Sequence, residues 1–443
     1  MAQRKARTNR DHAHQKQRPD ASDAVIAQRL EDLLSPAIDA QSSHYRRLGL
    51  RARILTLPLM VAAVLTLLWR DVPSVGELTR MLAREDLLWC RAVNVSQQSL
   101  SQRFLEFPAE LFERVFFDVL PQLKERWVQR QNRPLPVSIQ TAQREFERIW
   151  IADGSTLEKL FRKLGSLQEQ ESAPLAGKIL TIIDLVTRLP IQIWFCETPQ
   201  RSDAKFEPDL LASVPAKTLL LLDRGFYHFQ FFVDLILRHV HFITRLKANA
   251  HFEVERLLSS SYAHKDQVIL LGAKRKNAPQ VRLRLIQVRF GEIWYSYLTS
   301  VLEPEVLPPF VVADLYRQRW RIEEAFSTVK RLLGLSYLWT GSINGIKLQI
   351  WGTWLFFAVL VDLADEVADT LGMPFERISL EMLYRGLYHF GVARSKGLAS
   401  DPVAYFAAEV NQDLDVVKKL RKPLTTLDLR PFPKGDLTFY SSA

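Results

Sequence analysis

Residues 217–226 read KTLLLLDRGF. The four leucines from 219 to 222 leave no polar face, so the run suits a central strand covered on both sides. It stops at Asp223, and a carboxylate at the end of a buried strand is costly unless it is paired or binds a cation. Residues 149–155, IWIADGS, repeat the arrangement, apolar up to Asp153. KILTIIDLV (178–186) and IQIWFCE (191–197) are rich in β-branched and aromatic residues and read as further strands. After Asp223 a helical pattern, FYHFQFFVDLILRH (226–239), precedes the strand pattern HFITRLK (241–247). Strands alternating with helix predict an α/β layer, whose reactive crevice lies at the carboxyl ends of its strands.

Each aspartate also has a plain local reading. Asp153 is placed to cap a helix over STLEKLFRKL (155–164), and Asp223 to begin a turn with Gly225. Asp184, in KILTIID, is a third acidic candidate, or a turn position before Thr187 and Arg188.

Residues 248–305 carry strand patterns without helices: QVILLG, VRLRLIQVRF and EIWYSYLTS. The second alternates, with Arg282, Arg284, Gln287 and Arg289 among apolar residues, and predicts an antiparallel insertion with a basic side. A single long helix is expected over about 309–334, stopped by Gly334. On it Tyr316, Arg319, Glu323 and Lys330 are spaced 3, 4 and 7 and fall within roughly 60° of one another. Leu315, Ile322, Phe326, Val329 and Leu333 make an apolar stripe beside them. A carboxylate ringed by cations suits a place where a metal and phosphates are held together, though surface ion pairs at i,i+4 give the same spacing. Asp153, Asp223 and Glu323 would together supply three hard oxygen ligands for Mg²⁺.

The YRQRWRIEEAFSTVK segment (316–330) resembles the Y-x2-R-x3-E-x6-K pattern of bacterial insertion-sequence DDE transposases of the IS-four type, with Tyr316, Arg319, Glu323 and Lys330 in its four positions. That family carries its first Asp in a strand followed by a small polar run, as in IADGSTL, and its second in a strand ending Asp-Arg, as in LLLLDRGF. The resemblance covers about 150–335. It implies an RNase H-like catalytic core, a β-rich insertion, and a triad of Asp153, Asp223 and Glu323, with Asp184 on a connecting strand. It further implies two Mg²⁺ ions roughly 3.5–4 Å apart, with Mn²⁺ as a substitute. Tyr316, Arg319 and Lys330 would then contact phosphates near the scissile bond. In relatives excision passes through a DNA hairpin with a flipped base, on which an aromatic of the insertion stacks. Trp294 and Tyr295 are the candidates here.

The rest of the chain fits a protein that meets DNA. Its 443 residues exceed one ordinary core and suggest roughly two to four domains. Net charge is +10, an excess that favours a polyanionic partner. Residues 1–20 form a basic arm with Arg4, Lys5, Arg7, Arg10, Lys16 and Arg18. Over 21–146 the pattern is helical. Ser74 and Glu77 form a capping box before VGELTRMLAR, and VSQQSLSQRFLEF (95–107) follows, as in a helix-turn-helix. Gln98 and Arg103, with Ser96, Gln97, Ser101 and Gln102, are side chains suited to phosphates and base edges, or to the solvent face of a plain bundle. Pro108 is expected to start a helix that ends near Pro121.

The fold class expected is therefore α/β: a helical DNA-binding domain (21–146), an RNase H-like core (147–247 and 306–370), a β-rich insertion (248–305), and a helical C-terminal region with a tail (371–443). The two cysteines, Cys90 and Cys196, match no zinc or disulfide pattern, and no P-loop, dinucleotide or H-E-x-x-H motif occurs. Two apolar stretches, 54–69 and 350–360, read as buried helices rather than membrane spans, the first interrupted by Pro58. The expected partners are double-stranded DNA with terminal inverted repeats, target DNA and a second copy of the chain in a synaptic dimer, with no membrane, in the bacterial cytoplasm at the nucleoid. Two rivals remain at this stage: an RNase H-like nuclease that only cleaves, and a catalytically silent DNA-binding repressor.

Overall fold

The parity of the strand residues organises the molecule. The computed structural model describes residues 23–51, 53–157, 161–162, 177–198, 201–273, 279–339 and 342–417. The basic arm, much of STLEKLFRKL and the C-terminal tail lie outside the described residues. Strands β1 (Arg148–Leu157), β3 (Gly177–Asp184), β4 (Pro190–Cys196), β5 (Thr218–Leu222), β6 (His241–Arg245), β7 (Phe252–Ser260), β8 (His264–Leu271), β9 (Val281–Phe290) and β10 (Ile293–Thr299) form one nine-stranded sheet. Two-residue strands β2 (Phe161–Arg162) and β11 (Tyr337–Leu338) pair apart from it. The order is β4-β3-β1-β5-β6-β10-β9-β8-β7. β1 is antiparallel to β3, which is antiparallel to β4; β1, β5 and β6 run parallel. This is the mixed α/β architecture of an RNase H-like core.

All five residues of β5 are buried, as its unbroken leucines require. Ile149, Ile151, Leu219, Leu221 and Ile243 enter one core, while Trp150, Ala152, Leu220, Leu222 and Phe242 enter a second on the other face. Helices α8 (Glu207–Ser213) and α9 (Phe229–Leu237) cover the second core. The first is covered by α10 (Pro309–Gln318), α11 (Arg321–Ser327) and the long α12 (Ile343–Thr370).

The expected insertion strands continue the same sheet, with β10 antiparallel to β6 over Tyr297↔Arg245 to Thr299↔Ile243. Its basic side is only partly exposed. Arg282 is exposed and pairs with Glu255 at 2.7 Å, but Arg284 is fully buried, 2.6 Å from Asp266 and donating to Leu307 O at 2.8 Å. The loop before α10 and α10 itself cover that face, which alternation alone does not reveal.

Helices precede the sheet: α1 (Ala27–Ala40), α2 (Ser42–Arg47), α3 (Leu57–Trp69), α4 (Val75–Arg84), α5 (Gln97–Glu106), α6 (Ala109–Gln129) and α7 (Val137–Ala142). The Ser74 cap forms, accepting from Glu77 N at 3.0 Å. Pro58 stands in the first turn of α3 and opens it rather than interrupting it. Pro121 lies inside α6, which runs on to Gln129. The apolar face continues past it through Leu123 into the core shared with α12, and that burial outweighs the hydrogen bond proline removes. α12 is long and apolar enough to cross a membrane, but its most apolar window is 94% buried inside the protein. After it come α13 (Leu380–Ser395) and α14 (Pro402–Ala407).

Candidate active site

The last parallel couple between β1 and β5 is Ala152↔Leu222. Asp153 and Asp223 each come next in chain, so the two carboxylates emerge side by side. They share parity with Ile151 and Leu221 and so face the helical layer. β1 does not end at Asp153; it continues to Leu157, where its pairing with β3 persists. Asp153 is therefore a strand residue and caps no helix. Asp223 does accept from Gly225 N at 3.2 Å, and Asp153 from Gly154 N at 2.8 Å.

The helix expected over 309–334 is three pieces. From Tyr316 to Glu323 the backbone bonds tighten: Arg319, Trp320, Ile322 and Glu323 N–H groups each donate three residues back. From Thr328 to Leu332 the turn widens, with Leu333 N donating five back to Thr328 O at 3.0 Å. Such departures from the α-helix often mark working positions. Here the tight part holds Arg319 and Glu323, and the wide part holds Lys330.

Arg319 joins the three acids. Its Nη1 lies 2.6 Å from Asp153 Oδ2; its Nη2 lies 3.3 Å from Glu323 Oε1 and 3.5 Å from Asp223 Oδ1. Lys330 Nζ donates to Thr156 O at 2.7 Å, further along β1. The four side chains Asp153, Asp223, Glu323 and Lys330, with Arg319 and Ser155, line one open cleft of about 460 Å³. Tyr316 is buried with its ring 5.4 Å from Tyr297 and 5.8 Å from the Arg319 guanidinium.

Burial pushes the Asp153 carboxyl up to about 7; Arg319 pulls it down and Asp223 pushes it further up. Burial opposes the charge on Arg319, yet the surrounding carboxylates, Asp153 foremost, hold its pKa above the ordinary value. Burial likewise takes the Tyr316 phenol up to about 12, so it remains a donor at neutral pH. An anionic cluster that holds a cation this tightly has the hard oxygen donors a divalent ion requires. Among the described residues no three such ligands already stand close enough to hold an ion; the guanidinium occupies the space between these three.

Asp184 lies at the other end of the sheet, opposite Trp150 in the antiparallel register. It accepts from Trp150 Nε1 at 3.1 Å, Val186 N at 2.9 Å and Thr187 N at 2.8 Å. It is the turn position. Trp294 is exposed on β10. Tyr295, on the opposite face, packs edge-on against Phe290 at 5.5 Å, with Arg245 over its ring. In the helical region Gln98 is exposed on α5, whereas Arg103 is half-buried, donating to Tyr45 Oη at 2.9 Å and Leu55 O at 3.1 Å.

Two residues absent from the sequence reading stand beside the aspartates. Asp203 approaches Gly154 and Gly225 from the far face of the sheet, and Lys178 Nζ lies 2.6 Å from its Oδ1. Gly154, just after Asp153, and Gly225, two residues after Asp223, were the available signal.

The fold is that of an RNase H-like core, with Asp153, Asp223 and Glu323 gathered at one end of its parallel strands. Residues 148–359 match the family described as transposase DDE domain, so that segment carries a likeness to the DDE transposases of insertion sequences. The chain is also 23% identical, over 147 residues, to a Sinorhizobium fredii (strain NBRC 101917 / NGR234) protein named "Putative transposase y4zB". That match takes in 32% of this chain and 41% of the relative.

Proposed function

We propose that the chain cuts the ends of a mobile DNA element and joins them to target DNA. The observation that carries this is the convergence of Asp153, Asp223 and Glu323, from β1, the end of β5 and α11, upon one cation, the Arg319 guanidinium. In this reading the three carboxylates hold a pair of divalent ions, Mg²⁺ or Mn²⁺. When bound, these supply activation of the attacking oxygen and stabilisation of the leaving oxygen at phosphorus.

The chain's own residues do the rest. Lys330, Arg319 and the Tyr316 phenol bind and orient phosphates flanking the scissile bond. The burial of Asp153 beside Asp223 keeps an unneutralised carboxylate costly, which favours cation entry with the DNA. Tyr295 or Trp294 receives a base flipped from a hairpin end. The helical region 21–146, Gln98 and Arg103 included, binds terminal inverted repeats, with the arm 1–20 on phosphates. Two copies pair two ends, at the nucleoid, in the domain arrangement given by the sequence. The pattern on the helix favours the IS-four type.

The test is a cleavage assay on DNA carrying the inverted repeats that flank the gene, with and without Mg²⁺ or Mn²⁺. Metal-dependent nicking at the repeat, a hairpin end on denaturing gels and joined product with target DNA are expected. Cleavage without joining would leave a nuclease, and end binding without cleavage a repressor.

A further inference from the structure

The carboxylate of Asp203 fills the space behind two glycines. A Cβ on Gly154 would collide with Asp203 Oδ1, and one on Gly225 with its Oδ2. Those glycines donate their N–H groups to Asp153 and Asp223 respectively. One carboxylate thus braces the two backbone segments that aim the catalytic pair.

Its own position is fixed from elsewhere. Asp203 opens a short 3-10 turn, Asp203–Phe206. Lys178, on β3, holds its Oδ1 at 2.6 Å and also donates to Arg201 O at 2.9 Å. Arg201 lies over the Phe206 ring at 4.4 Å and donates to Lys205 O at 2.7 Å. Phe206 belongs to the core on the opposite face from Arg319. The brace therefore stands independently of the helices that carry Arg319 and Glu323. A filler alone would be apolar, because a half-buried anion beside two others is unfavourable unless it is anchored and used. Lys178 is the anchor.

We propose that Asp203, held by Lys178, is a positioning residue that sets the separation of the Asp153 and Asp223 carboxylates for the divalent ions they share. This rests on the metal-dependent reading above.

Two measurements on the full chain test it. The first is Mn²⁺ binding, followed by the loss of free-ion paramagnetic signal. Asp203→Ala is expected to weaken it about 10-fold, the lower end of what outlying partners of ligand residues contribute. Asp203→Asn keeps the shape and should bind close to the parent. Lys178→Met should weaken binding and add nothing to Asp203→Ala. Gly154→Ala should weaken binding in the parent but do less further harm once Asp203 is Ala, since the added Cβ then meets only the flexible end of Lys178, at 2.9 Å. Parent-like binding by Asp203→Ala overturns the proposal. So does an Asp203→Asn loss equal to that of Asp223→Asn, which would make Asp203 a ligand itself.

The second measurement needs no metal. Amide hydrogen exchange at Gly154 and Gly225 should quicken in Asp203→Ala while the β6–β10 amides keep the parent rate. Unchanged exchange there overturns the brace. If instead Asp153→Asn and Asp223→Asn leave Mn²⁺ binding intact, the metal reading fails, and the exchange result still decides the brace.

Discussion

Arg319 Nη1 stands 2.6 Å from Asp153 Oδ2, closer than to either of the other two acids it touches. A guanidinium and a divalent ion cannot both take that oxygen fully. Arg319→Ala is therefore expected to raise the Mn²⁺ affinity of the DNA-free chain by about 5- to 30-fold, the weight of 1–2 kcal/mol. It should also slow cleavage, because a phosphate contact is lost. A variant that binds Mn²⁺ no better than the parent would show that the two cations do not compete.

Asp153→Asn, Asp223→Asn and Glu323→Gln keep side-chain shape and remove a charge. Each should abolish cleavage while leaving binding to the element's ends largely intact, measured by gel shift in the same samples. Normal cutting by any one of them removes that residue from the triad.

Lys330 Nζ donates to Ser155 Oγ and, at 2.7 Å, to Thr156 O. Lys330→Ala should leave Mn²⁺ binding near normal yet slow cleavage by an amount worth about 1.5–3 kcal/mol, the range for a hydrogen bond to a charged group. Lys330→Arg should not fully restore it, since a planar fork and a compact ammonium fit phosphate differently. Parent-like cleavage at moderate salt would make Lys330 a structural tie only.

Gln98 and Arg103 should separate in the full chain. Gln98→Ala removes an exposed side chain and should reduce preference for the repeat over random DNA without altering the melting temperature. Arg103→Ala strips donors from Tyr45 Oη and Leu55 O and should cost about 1–3 kcal/mol of stability as well. Equal melting temperatures for both variants would contradict this division.

Asp415 is fully buried, and burial, with Asp413 adding to it, pushes its carboxyl up to about 7. The folded state prefers it protonated, so the stability it supplies is complete below about pH 4 and is lost as pH rises to about 7. Asp415→Asn should be more stable than the parent by about 2–4 kcal/mol at pH 8, with the difference closing by pH 4. Denaturant unfolding at both values checks it; a gap of the same size at each pH would be the contrary result.

What the sequence disclosed was whatever local periodicity could encode. The leucines of 219–222, the aspartates after them and the spacing of Tyr316, Arg319, Glu323 and Lys330 are all readable within short windows. The breaks in the helix were not, because no proline or glycine lies between 310 and 333. The tightening accompanies the contact of Arg319 with Asp153 and the widening that of Lys330 with Thr156 O, both distant in sequence. Asp203 and Lys178 were hidden for a different reason: each is distant from its glycine in sequence and meets it only through sheet pairing and the turn before α8. Arg284 shows the same limit, since alternation gives a face but not what covers it.

The odd-numbered residues of β1 and β5 feed one core and the even-numbered residues the other. Asp153 and Asp223 belong to the odd set. A single-residue insertion or deletion in either strand would therefore be read twice, once as a scrambled core and once as a carboxylate delivered to the wrong side. In such a chain a change of length is tolerated only in loops, because the alternation that keeps the leucines dry is the same one that aims the two carboxylates.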